Sequence, residues 1–287
     1  RVPGKRQNLL FSATFPDAIQ TVAERHMHNP VRVQVEESHD DSSIRQHFIR
    51  LQDEQQRMTA LRLLLLQLRP DSAVVFCNTK RDTRDLADEL CRHGFDALAL
   101  HGDLDQKERD QTLVRFANQS ASILVATDVA ARGLDIDALD AVFNYHIARD
   151  SDAHTHRIGR TGRAGEQGNA YTLYAGKESH KVVRLEAELD LSIEPESLPP
   201  AERLEERAYK APMVTLQIDG GRKQKVRPGD VLGALTGDRG IAGNQVGRID
   251  IAENWAYVAV AREAAKPALQ KLRDGKLKGR SFRVRAI

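Results

Sequence analysis

Between Ile44 and about Leu189, short apolar runs alternate with longer stretches whose apolar positions recur at helical spacing. "AVVFCNT", from Ala73, reads as a β-strand. "KRDTRDLADELCRHG" follows, with Leu86 and Leu90 one turn apart and Gly94 as a stop, and reads as a helix. "ALALHG" predicts a second strand and "DQKERDQTLVRFAN" a second helix. "ASILVATD", "AVFNYHI" and "NAYTLY" predict further strands before the helix "KESHKVVRLEAEL". Strand and helix in alternation imply an α/β fold with a parallel sheet covered on both faces. In such sheets ligands gather at the carboxyl ends of the strands. The loops "NTK", "HGD", "TDVAARGLD" and "HRIGRTGR" all fall at that end.

The order changes after Pro212. "MVTLQI" is a strand, and "RPGDVLGALTG" is a short helix entered through Pro228, where a missing N–H costs nothing. "VGRIDI" and "WAYVAVA" are strands, "REAAKPALQKLRDG" is a helix and "SFRVRAI" is the last strand. This βαββαβ order is the split-βαβ arrangement of a small α+β domain. The pattern predicts four regions: a stub over 1–39, an α/β domain over 44–189, a linker over 190–211 and the α+β domain over 212–287. The linker is rich in proline and glutamate, with at most a short helix. "SHDDSS", from Ser38, reads as a second, shorter linker.

Composition adds a charge asymmetry. The net charge is only +2, yet Pro212 to Ile287 holds 15 Lys and Arg against 7 Asp and Glu. A basic block beside an acidic one suggests a polyanion-binding module attached to something else. The longest apolar run, "LRLLLLQL" from Leu61, is far short of the roughly 20 residues of a membrane span. Two cysteines, Cys77 and Cys91, do not make a disulfide framework, and His154 and His156 lack further ligands nearby, so no metal site is expected.

The stretch "HRIGRTGRAG", His156 to Gly165, sets Arg157, Arg160 and Arg163 three apart with glycines between them. At that spacing on a turn or helix start, the guanidiniums are expected to share one side. The glycines let a ligand approach the backbone, and a planar charged fork suits phosphate oxygens. A lone Arg-x-x-Arg is more often a solvated basic turn. Here it stands last in an ordered series: "FSATFP" from Phe11, "VVFCNTK" from Val74, "HGDLDQKER" from His101, "ATDVAARGLDI" from Ala126 and "HRIGRTGR". With these five motifs the chain resembles the DEAD-box family of ATP-dependent RNA helicases.

The resemblance implies a RecA-like fold for residues 44–189 and roles for its motif residues. Arg160 and Arg163 would be arginine fingers on the ATP γ-phosphate, typically worth ~10³–10⁵ in rate. Gly133 and Asp135 would belong to the ATP site, with Asp135 on the ribose. His156 and Arg157 would bridge toward the partner domain. Gly102, Arg109 and Thr127 would touch the RNA backbone, and Ser12 and Thr14 would couple hydrolysis to strand separation. Neither G-x-x-x-x-G-K-[ST] nor Asp-Glu-Ala-Asp occurs in the chain. The absence of an initiator Met adds the expectation of a longer protein. Its missing first domain would hold most of the Mg²⁺ site, residues 1–39 would be that domain's last strand and helix, and the present chain alone would be inactive.

The tail also resembles the C-terminal module of a bacterial branch of the family, carried by "MVTLQIDGGRKQKVRPGDVLGALTGDRGI" and "LKGRSFRVR". That resemblance implies an RRM-like domain recognising a hairpin of large-subunit (23S) ribosomal RNA, and a cytoplasmic, monomeric enzyme of 50S subunit assembly acting on pre-50S particles. "NWAYVAVA" partly matches an RNP1 strand, with Trp255 and Tyr257 on the stacking positions. Alternating aromatics on a strand equally suit half-buried packing. Lys223, Lys225, Lys276, Lys278 and Arg280 are the natural phosphate contacts, against a solubilising surface as the plainer use. Two alternatives remain: a general DEAD-box RNA chaperone of mRNA decay or cold adaptation, and a non-catalytic RNA-binding protein on a RecA-like scaffold.

Overall fold

A computed structural model describes residues 6–11, 17–33, 44–132, 138–162 and 167–287. The chain divides into two compact units, Arg1–His39 and Asp40–Ile287. The described part of the first holds one helix, α1 (Asp17–His26), whose last carbonyl accepts Asn8 Nδ2 at 2.7 Å. The strand expected beside it is not formed among the described residues. "SHDDSS" lies outside them.

The second unit contains two sheets. The first runs through β1 (Ile44–Leu51), α2 (Gln56–Leu68), β2 (Ala73–Cys77), α3 (Lys80–Arg92), β3 (Ala97–Leu100), α4 (Gln106–Ala117), β4 (Ile123–Thr127), α5 (Asp128–Ala131), β5 (Ala141–Asn144), α6 (Ser151–Ile158), β6 (Gly168–Ala175), α7 (Ser179–Leu189) and β7 (Pro195–Glu196). Its seven strands are all parallel, in the order β3-β4-β2-β5-β6-β1-β7. β2, β4 and β5 are buried throughout, as expected of strands covered on both faces. One core cluster packs Leu61, Leu65, Leu86 and Leu90 from α2 and α3 on one face. A second gathers Phe116, Ala130 and Ile158 on the other.

Local chemistry starts the helices where the sequence places them. Thr79 Oγ1 accepts the Asp82 N–H at 3.1 Å to open α3, and Gly94, at φ +90°, turns the chain after it. Asp105 and Glu108 form a reciprocal capping box at α4.

The linker is less free than its composition suggests. Pro195–Glu196 pairs with β1 as the seventh strand, a 3₁₀ turn covers Ala201–Glu205, and Leu198, Ala208 and Tyr209 pack onto the α2–α3 core. Tyr209 meets Phe95 edge-on at 5.7 Å. Apolar side chains at irregular spacing, invisible to a periodicity search, hold this strap down.

The second sheet is antiparallel and is built from β8 (Met213–Ile218), α8 (Pro228–Thr236), β9 (Val246–Ile251), β10 (Ala256–Ala261), α9 (Ala265–Asp274) and β11 (Val284–Ala286). The βαββαβ order is as expected, with the strands arranged β11-β8-β10-β9. One face, with Leu216, Ile218, Val258 and Val260, forms a core under α8 and α9. Strand alternation sends Thr215, Gln217, Tyr257 and Ala259 to the other face. That face is also buried: Thr215 is 0%, Gln217 1% and Tyr257 2% exposed. What covers it is the first sheet's domain.

Candidate nucleotide and RNA site

At the carboxyl ends of β2, β4 and β5, Arg157 is 1% exposed and spends all five N–H groups internally. Nε and Nη2 reach the two Asp128 oxygens at 2.5 and 2.9 Å; Nη1 reaches Asn144 Oδ1 at 3.2 Å and the His146 carbonyl at 2.7 Å; Nη2 reaches Asn78 Oδ1 at 2.9 Å. The guanidinium also lies over the Phe76 ring, 5.1 Å from its centroid. Arg157 does not bridge outward as expected, although it lines the same cleft as Arg160. It is turned inward, tying three strand ends to α6. The geometric reason is that α6 runs to Ile158, so Arg157 sits on the buried face of a last helical turn, while His156 beside it is exposed.

His156 and Arg160 line a shallow cleft with Arg132, Asp128 and Ala131, between α5 and α6. The fold therefore brings Arg160, His156 and the "TDVAAR" segment together. Arg163, Gly133, Asp135, Ser12 and Thr14 lie outside the described residues. Asp128 is a carboxylate of this cleft with both oxygens held by Arg157.

Gly102 lies just past β3 and Thr127 ends the adjacent β4, the two strands pairing through Leu100 and Ala126. Thr127 caps α5, its Oγ1 accepting the Ala130 N–H at 3.4 Å. Arg109 Nη2 donates to the Ala130 carbonyl at 2.8 Å, so it holds the α5 turn carrying Thr127. Gly102 is exposed beside the ion pair of Lys80 with Asp103, 2.5 Å long.

A second buried arginine was not singled out by the sequence. Arg57, 2% exposed, also uses five N–H groups, on Glu54, Glu178 and the carbonyls of Tyr145 and Leu173. Burial pushes the Glu178 carboxyl up, but the Ala175 N–H and Arg57 outweigh it and bring it below the usual range. The available signal was its position on α2, one turn before Leu61 and two before Leu64, on the buried face.

In the tail, the loop 222–227 and the turn 276–280 come together. Lys278 Nζ reaches the Lys225 carbonyl at 2.9 Å and Asp230 at 3.1 Å, and Lys223 pairs with Glu253 at 3.4 Å. Lys223, Lys225, Lys276, Lys278 and Arg280 are all exposed. The aromatic pair is placed differently. Tyr257 is packed under the first domain and Trp255 is half-buried, with Lys107 of α4 5.2 Å from its ring centroid. The sheet face around Tyr257 is thus closed to a base in this arrangement. Gln111 of α4 donates to Gln217 Oε1 at 2.9 Å, the Ser120 and Thr215 hydroxyls are 2.6 Å apart, and Asn118 reaches Thr215 at 3.3 Å. Asp96 accepts Arg262, Lys210 and the Ala211 N–H at 2.8, 3.2 and 2.9 Å. Sequence reasoning missed these docking residues because each reads as an ordinary surface polar group.

Residues 56–165 match the helicase conserved C-terminal domain and residues 215–286 the DbpA RNA binding domain. A solved structure of S. cerevisiae Dbp5 bound to RNA and ADP BeF3 superposes with TM-score 0.58 at 31% identity, over 69% of this chain and 52% of that one. A DEAD box protein from Methanococcus jannaschii gives 0.52 at 36% identity, over 65% and 50%. The chain belongs to the DEAD-box RNA helicase family. Within it, the chain is 46% identical to the ATP-dependent RNA helicase DbpA of Escherichia coli over 99% of its own length and 62% of that protein's. Identity to DbpA of Bacillus subtilis is 28%, over 99% and 63%. The chain thus spans less than two thirds of the length of these relatives. No helix among the described residues is long and apolar enough to cross a membrane.

Proposed function

We propose that this chain supplies the second RecA-like domain and the RNA-anchoring RRM-like module of an ATP-dependent RNA helicase that acts in assembly of the large ribosomal subunit. The observation that carries this reading is the convergence of Arg132, His156 and Arg160 in one cleft beside the strand ends bearing Gly102 and Thr127, in a chain that also has a DbpA-type tail. The cationic side chains suit an anionic ligand; ATP bound there would close the cleft, and hydrolysis of its γ-phosphate by water would supply the chemistry of the cycle. Arg160 and Arg163 would stabilise the charge that spreads over that group. Asp135, with Gly133, would hold the ribose. Arg157 keeps α6, and with it His156 and Arg160, in register with the strand ends. Because neither G-x-x-x-x-G-K-[ST] nor Asp-Glu-Ala-Asp occurs in the chain, the Mg²⁺ ligands would come mainly from a phosphate-loop domain. Ser12 and Thr14 would couple that domain to RNA strain.

The tail would hold a hairpin of 23S rRNA through Lys223, Lys225, Lys276, Lys278 and Arg280, in the cytoplasm and as a monomer. The test uses a protein extended to the full length of its relatives. Arg160→Ala should reduce RNA-stimulated ATP hydrolysis by ~10³ or more and leave hairpin affinity unchanged. Parallel loss of both activities would mean that Arg160 is structural. The 287-residue chain, without G-x-x-x-x-G-K-[ST], should bind RNA and turn over no ATP; turnover by it would overturn the assignment.

A further inference from the structure

We infer that Lys107 and the seam between the two domains form a further RNA contact, joining the tail's basic loops to the strand ends of the helicase domain. The inference rests on the reading of the tail as an RNA anchor and extends it to a residue outside every motif of the sequence. Its basis is a physical chain of contacts. The basic loop is fixed to the turn 252–255, since the N–H groups of Arg222 and Lys223 donate to the carbonyls of Ala252 and Glu253, both at 2.9 Å. Gly221 lies so close to that turn that an added Cβ would stand 2.4 Å from the Ala252 oxygen and 2.7 Å from the Trp255 nitrogen. Trp255, at the end of the turn, meets Lys107 on the first turn of α4. The loop between β3 and α4 holds Gly102 and Asp103, close to the carboxyl end of β3.

Charge distinguishes Lys107 from its neighbours. Lys80, Lys223 and Lys278 are each matched by a carboxylate, namely Asp103, Glu253 and Asp230. Among the described residues no carboxylate pairs with Lys107; its exposed ammonium has the indole face alone. A cation–π contact orients a lysine without neutralising it. Arg222 and Lys225, on the far side of the turn, likewise have no ion pair among the described residues and are exposed. The result is unneutralised positive charge on both sides of Trp255, along a line leading from the tail to the helicase strand ends. The occupant this fits is an RNA backbone leaving the anchored hairpin, because a polyanion of regular charge spacing gains from each added cation by counterion release.

The experiment uses the 287-residue chain and a large-subunit rRNA hairpin, with and without a single-stranded extension, titrated at two salt concentrations. Lys107→Met keeps the packing on Trp255 and removes the charge; Lys107→Arg keeps both. Trp255 is the sole tryptophan, so its emission reports whether the seam stays closed. The expected result is that Lys107→Met abolishes most of the affinity the extension adds and lowers the salt slope for the extended RNA by ~0.7. Hairpin binding and Trp255 emission should stay as in the wild type, and Lys107→Arg should restore the loss. An extension that adds the same affinity and slope to Lys107→Met as to the wild type overturns the inference. Lys225→Ala serves as the second arm: if it leaves hairpin binding intact, the reading of the tail itself fails.

Discussion

The two sheets bury polar groups in opposite ways. In the α/β domain one group of buried polar residues sits at the strand ends, where Arg157 draws Asp128, Asn144 and Asn78 into one network. In the antiparallel sheet they lie along a whole face. Arg285, Gln217, Tyr257 and Asp250 form one row across four strands, and its Gln217 accepts Gln111 of α4. The first network is internal to one domain and gathers a cleft lined by Arg132, His156 and Arg160. The second joins two domains and covers the surface where the aromatic pattern suggested RNA. Strand alternation therefore shows that a face is polar; it does not show that the face is open.

Breaking the first network should have the largest effect. Arg157→Ala leaves Asp128 as an uncompensated, largely buried charge and should cost about 3–5 kcal/mol of stability, read by urea unfolding of the 287-residue chain. Arg157→Lys should recover little, because one ammonium cannot span the four groups the fork reaches. Loss of less than about 1 kcal/mol would contradict the keystone role.

A smaller effect is expected from acid. His154 is fully buried, its Nε2 2.9 Å from Gln46 Oε1, and burial, helped by the Arg157 charge, holds its ring pKa down to about 4 against an ordinary 6.5. The neutral ring is the form the fold accepts. Stability is therefore complete above pH 6.5 and declines as the pH falls toward 4, by about 3 kcal/mol. His154→Gln should flatten that decline. His101 and His146, which burial also shifts downward, leave a residual slope.

The interface should respond least. Asp96→Ala removes the acceptor shared by Arg262, Lys210 and the Ala211 N–H and should cost about 1–3 kcal/mol. The loss should appear as faster amide exchange in β8 and at 117–120, with the rest of the parallel sheet unchanged. Uniform acceleration everywhere would mean that Asp96 supports the α/β core instead of the joint.

Most elements were legible because strand and helix periods are strong local signals. β2 to β6 of the parallel sheet, α3, α4, α7 and the whole βαββαβ order follow from them. β1 was not picked out, and β7 is two residues long and exists only through its pairing with β1. Of the candidate site, Gly102, Thr127, His156 and Arg160 were legible as motif residues, and the fold places them at one end of the sheet. The inward turn of Arg157 depends on where α6 ends, which the spacing of arginines does not encode. The burial of Tyr257 was not legible for a different reason: the cover of its face, Gln111, Asn118 and Ser120, lies 137 to 146 residues earlier in the chain and is polar, so no local pattern marks it.

The most direct test of the account compares the two surfaces of the tail in the intact chain. Gln217→Ala with Tyr257→Ala loosens the docked face; Lys225→Ala with Arg280→Ala removes charge from the basic loops. Affinity for a large-subunit rRNA hairpin is measured for both at two salt concentrations, with exchange at 106–120 as the record of docking. The first pair is expected to speed exchange on α4 and leave hairpin affinity within about two-fold, whereas the second lowers affinity about ten-fold or more and flattens the salt slope by ~1.4. Loss of hairpin affinity in the first pair with α4 still protected, and none in the second, would contradict it.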